Sequence, residues 1–131
     1  MRHEDLFLLS YIFSSDDDGD CLEDIYAGYD DKFNLVILIE HMDSNYPEHN
    51  CCAYAIINKD DAFLLAKQLK VGMTDLPAAI SKSIGDDYYD LVNPSVNQTQ
   101  RCFREIIEYL GYEKCKFKLI RELGIGGYYC I

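Results

Sequence analysis

Tryptophan is absent from this 131-residue chain, and proline and histidine occur only three times each. Basic residues are scarce at one end: residues 1 to 50 contain Arg2 and Lys32 against thirteen carboxylates. No stretch approaches the ~20 consecutive apolar residues that span a bilayer. The first apolar run, "LFLLSYIF", follows Glu4 and Asp5, so the basic start of a secretory signal is missing and a cytoplasmic protein is expected. Each shortage excludes something. Without Pro/Gly-rich or repetitive tracts there is no linker to divide the chain, and residues 1–131 read as a single domain. Without basic patches, nucleic acid and anionic membranes are poor partners, because both repel a surface of net charge −11.

What is abundant is apolar and acidic. Hydrophobic residues make up 49% of the chain, which rules out disorder by composition and allows a sizeable core. The net charge is −11 over residues 1–50, −2 over 51–100 and +2 over 101–131, so the whole imbalance lies in the early part. A cationic protein would be drawn to it.

The apolar pattern changes period along the chain. Residues 5–14 are ambiguous between helix and strand, but an Asp18-Gly19 turn would pair them with residues 21–29 as a hairpin. That register sets Ile12 against Ile25, Ser10 against Ala27 and Leu8 against Tyr29 on one face. Tyr11 against Tyr26 and Phe13 against Asp24 then lie on the other. Residues 35–39 and 51–58 are apolar with almost no break and read as central strands covered on both faces. Three helices follow. Ala62, Leu65, Ala66 and Leu69 stripe the first, Leu76, Ile80 and Ile84 the second, and Phe103, Ile106, Ile107 and Leu110 the third. Ser95 and Gln98 form a capping box at the start of the third. "KCKFKLI" alternates, with Cys115, Phe117 and Leu119 inward and lysines outward, and "GIGG" would reverse the chain into "YYCI". The expectation is an α+β fold: a mainly antiparallel sheet of N-terminal strands, three helices in a single layer on it, and a closing C-terminal β-hairpin.

Four chemical readings can be weighed on the residues. The loop "SSDDDGDCLED" puts Asp16, Asp18 and Gly19 in the third, fifth and sixth slots of a calcium loop. Ser14 and Ile25 then fill the first and twelfth, so the loop is no EF-hand and a loose cation site competes with a solvated turn. "HMDSNYPEHNCC" offers His41, His49, Cys51 and Cys52 to zinc. Adjacent cysteines on a strand point to opposite faces, which leaves His49 and Cys51 as only two ligands, and no metal or cofactor is expected. The six cysteines lie mostly in strand and helix patterns and read as reduced core residues rather than disulfides. Cys115 between Lys114 and Lys116 tempts as a nucleophile, but on a strand those lysines point away from it.

The remaining constellation is a surface of acids and tyrosines. Tyr11, Tyr26 and Asp24 on the outer hairpin face join Asp16, Asp17, Asp18 and Asp20 at its tip. Asp30, Asp31, Asp43 and Tyr46 are expected to extend it. Tyrosine gives large contact area with few rotors, so tyrosines among carboxylates suit a basic protein. Crowding the acids costs only about 1 kcal/mol per pair at 4 Å in water, so a merely solvated face is the competing reading. The functional expectation is a non-catalytic acidic binding domain, of the kind that inhibits or confers immunity against a basic enzyme such as a nuclease. The alternatives are an enzyme with a cysteine or carboxylate site not visible in the sequence, and a weak cation-binding domain. Strands apolar on both faces also leave room for a dimer.

Overall fold

The computed structural model describes residues 1–15, 21–85, 96–113 and 115–122. Four strands come first: β1 (Phe7–Ser14), β2 (Cys21–Tyr29), β3 (Leu35–Asp43) and β4 (Cys51–Ile57). Three helices follow, α1 (Lys59–Leu69), α2 (Leu76–Gly85) and α3 (Val96–Tyr112), before β5 (Phe117–Glu122). The five strands form one sheet in the order β1-β2-β3-β4-β5, with every neighbouring pair antiparallel. The fold is therefore α+β on an antiparallel sheet. Its last described element is a single strand paired to β4, and the expected closing hairpin falls on residues outside the described ones.

β3 is the centre of the molecule. Leu35 to Ile39 are fully buried at every position, as five consecutive apolar residues on a doubly covered strand should be. On one face, the odd-numbered residues of β2, β3 and β4 meet the helices. Ile25, Ile37, Ile39 and Ile57 pack there with Leu65, Leu76, Ile80, Phe103 and Ile106. Each fully buried aliphatic side chain stabilises the fold by roughly 1.5–3 kcal/mol relative to exposure. α2 lies against β1 and β2, and α3 crosses the same two strands. Asn58 caps α1, its side chain accepting from the Asp61 N–H at 2.9 Å. The capping box at Ser95 lies outside the described residues.

The opposite face is covered by the chain's own first residues. Leu6 packs with Val36, Leu38, Cys52 and Tyr54, and Met1, Tyr26, Ile56 and Ile120 border that cluster. Gly28 makes this approach feasible, because a Cβ there would sit 3.0 Å from both Leu6 Cβ and the Phe7 carbonyl oxygen. The N-terminal segment therefore lies directly on β2, which the sequence pattern did not foreshadow.

The hairpin register holds in its middle and shifts on either side. Ser10 faces Ala27 and Tyr11 faces Tyr26, as the turn geometry predicts. Irregularities between Phe7 and Ser10, and between Tyr11 and Phe13, change the rest. Tyr29 pairs with Phe7 rather than Leu8, Ile25 with Phe13 rather than Ile12, and Asp24 with Ser14 rather than Phe13. Leu8 adopts φ 51° at the first irregularity. Bulges of this kind twist an edge strand away from pairing with another chain, and they let both Ile12 and Phe13 enter the core. At the other end of the described sheet, Leu119 of β5, expected to face inward with Phe117, is 38% exposed.

Candidate functional site

β1 and β2 bring Tyr11, Asp24 and Tyr26 together on the outer face. The two rings meet edge-on with centroids 5.6 Å apart. Asp24 accepts from both hydroxyls, Tyr11 at 3.4 Å and Tyr26 at 3.5 Å. His3 from the N-terminal segment stacks on Tyr26 at 4.8 Å, and its Nδ1 lies 2.7 Å from Glu40 Oε1. Burial, then Asp24 and Glu40, push the Tyr26 phenol well above its ordinary value, so it remains a donor to Asp24. Tyr11 is 52% exposed, and beyond it Leu22 and Met42 face each other across β2 and β3, also exposed. The sequence missed His3, Glu40, Leu22 and Met42. Only the two-residue alternation of β2 and β3 could have pointed to the last three.

The other expected members of the patch do not join these three. Asp30 sits at the far end of β2, six residues along the strand from Asp24, which is about 20 Å. Its carboxylate organises the turn, accepting from the N–H groups of Lys32 and Asn34 at 2.9 Å each. Asp31 is exposed beside it. Asp43 lies on the helix-facing side and is 8% exposed. Tyr46 is exposed in the following loop, where its ring stacks on His49 at 5.2 Å. Asp16, Asp17, Asp18 and Asp20, with the Asp18-Gly19 turn and the calcium-loop reading, lie outside the described residues.

A second polar cluster occupies the helix-facing side at the end of β2 and β3. Glu23 is completely buried there, opposite His41 in the β2–β3 register. Its Oε1 lies 2.9 Å from His41 Nδ1 and accepts from Gln100 Nε2 of α3 at 2.9 Å. Its Oε2 has no hydrogen-bond partner among the described residues. Two residues further along, Cys21 faces Asp43. Asp43 Oδ1 accepts from the N–H groups of Asn45 and Tyr46 at 3.0 Å each. Its Oδ2 is 3.5 Å from Cys21 Sγ and 3.5 Å from His49 Nδ1. Cys21, His41 and Asp43 each place one ligand-type atom within 4.8 Å of the others. Of the four residues first considered for zinc, His41, His49 and Cys51 lie at this end of the sheet. Cys52 packs in the outer cluster, as strand alternation requires. The two residues that sequence reasoning left out, Cys21 and Asp43, come from the same register pair.

Among the described residues, two carboxyls are held below their ordinary values. For Asp43 the first cause is the Tyr46 backbone N–H, followed by Asn45, the Cys21 thiol and His49. For Glu122 it is the hydrogen bond from the Met1 amino group, helped by Tyr54 at 2.8 Å and by Cys52. Burial first, and then the neighbouring Glu122 and Cys52, raise the Tyr54 phenol to about 12. A depressed carboxyl contributes stability above its unfolded value, near 4, and loses it as pH falls through the lower folded value. Thermal midpoints should therefore hold above about pH 5 and fall steadily below pH 4, with Asp43→Asn flattening part of that slope. A midpoint independent of pH across this window would contradict both contact sets.

No helix among the described residues is long and apolar enough to cross a membrane. No family model, curated protein or solved structure matches the chain.

Proposed function

We propose that this chain is a non-catalytic, acidic binding domain whose outer β1–β2 face docks a basic protein, as an inhibitor or immunity-type partner in the cytoplasm. The observation that carries the reading is the convergence of Tyr11, Tyr26 and Asp24, bordered by exposed Leu22 and Met42. Aromatic and apolar anchors suit an interface centre, and a carboxylate beside them favours a cationic partner. The excess charge of residues 1–50 would speed encounter, while the tyrosines would supply contact area. The hydrogen bonds from both phenols hold Asp24 in place, so little side-chain freedom remains to be lost on binding.

The test is a binding screen against a set of cationic proteins, followed by salt titration of any hit. Affinity should fall as salt rises from low to moderate concentration. Tyr11→Ala should weaken binding roughly tenfold or more while leaving the melting temperature nearly unchanged. Asp24→Asn should chiefly slow association. An affinity that ignores salt, or a hit that tolerates both substitutions, removes the reading.

A further inference from the structure

We infer that Cys21, His41 and Asp43 form a binding site for a divalent metal ion of the zinc class, with His49 completing the coordination. One thiol, one imidazole nitrogen and one carboxylate oxygen converge within 4.8 Å from two adjacent strands. Each belongs to a chemical type that zinc accepts, and soft sulfur combined with nitrogen discriminates against calcium and magnesium. Asp43 Oδ2 is the hub, 3.5 Å from both Cys21 Sγ and His49 Nδ1. Its other oxygen is already fixed by two backbone N–H groups, so the ligand oxygen is oriented before any ion arrives.

Glu23 supplies the independent argument. Its contact with His41 occupies Nδ1, so Nε2 is the ring nitrogen left to meet an ion. A carboxylate behind a histidine ligand is the usual way to fix ring orientation and raise basicity. A fully buried acid with an oxygen unpartnered among the described residues is costly without a positive charge nearby, and a divalent ion next to His41 would provide one. The ion would displace the Cys21 proton to solvent and tie β2, β3 and the turn carrying His49 together. This site is on the opposite face of the sheet from Tyr11 and Tyr26, so either reading can fail alone.

The experiment uses the whole chain, stripped with a chelator and titrated with Zn²⁺ or Co²⁺. Zinc at a hundredfold excess over its Kd should raise the melting temperature by roughly 10 °C. Cobalt should produce a thiolate-to-metal charge-transfer absorption at one equivalent, reversed by chelator. Cys21→Ser and His41→Gln should abolish both signals, whereas Cys52→Ser, on the other face, should keep them. The wild-type cobalt spectrum needs no variant to fold, so its absence up to millimolar metal overturns the proposal by itself. A charge-transfer band that persists in Cys21→Ser also overturns it. So does a metal-insensitive chain in which Cys21 alone reacts rapidly with an alkylating agent, which would favour a nucleophilic cysteine instead.

Discussion

Phe103→Ala should lower the free energy of unfolding by about 3–5 kcal/mol, read as a reduced urea midpoint with the slope unchanged. Phe103 is fully buried, and so are its helix neighbours Cys102, Ile106 and Leu110. They form the stripe by which α3 covers the sheet, and a phenyl ring is the largest volume that stripe can lose. Domains of this size are stable by only about 5–15 kcal/mol, so the variant should sit near the threshold of folding at body temperature. The effect reaches beyond stability, because α3 also carries Gln100 onto Glu23. A loss under about 1 kcal/mol would mean that α3 is not packed where it is described.

Glu23→Ala should cost roughly 3 kcal/mol in the metal-free chain, since two hydrogen bonds to a charged group are lost and each is worth about 1.5–3 kcal/mol. His41 and Gln100 would be left facing a void under α3. Glu23→Gln should cost much less, because an amide oxygen can still accept from one of them and the volume is kept. The contrast separates the loss of charge from the combined loss of the accepting oxygen and its volume. A double-mutant cycle with His41→Ala should give a coupling of 1 kcal/mol or more. Equal costs for the alanine and glutamine variants would show that charge, and not the accepting oxygen, is what matters at this position.

The local patterns were legible wherever one period dominated. The unbroken apolar run of β3, the stripes of α1 and α3, the burial of Leu76 and Ile80 in α2, and the pairing of Tyr11 with Tyr26 all follow from side-chain alternation or the helical repeat. The bulges in β1 were not legible, because an extra residue in an edge strand leaves no trace in an alternation already blurred by eight consecutive mostly apolar residues. The patch was half legible. Tyr11, Asp24 and Tyr26 share a face by register, yet Asp30 and Asp43 were assigned to the same surface only because they are near in sequence. Asp30 is used up in a turn, and Asp43 points to the helix side at the strand's end.

The sequence by itself determined the class of fold, the location of the charge along the chain, and which residues of β3 and the helices turn toward the core. These depend on periods of two or 3.6 residues and on composition, which are local properties. Tertiary structure alone decided that the first six residues cover the second face of the sheet, through the missing side chain at Gly28. It also decided that Cys21 and Asp43, twenty-two residues apart in sequence, meet beside His41. Strand register brings distant residues into contact at a cost in chain entropy that the whole core must offset, and no short window of sequence records that balance.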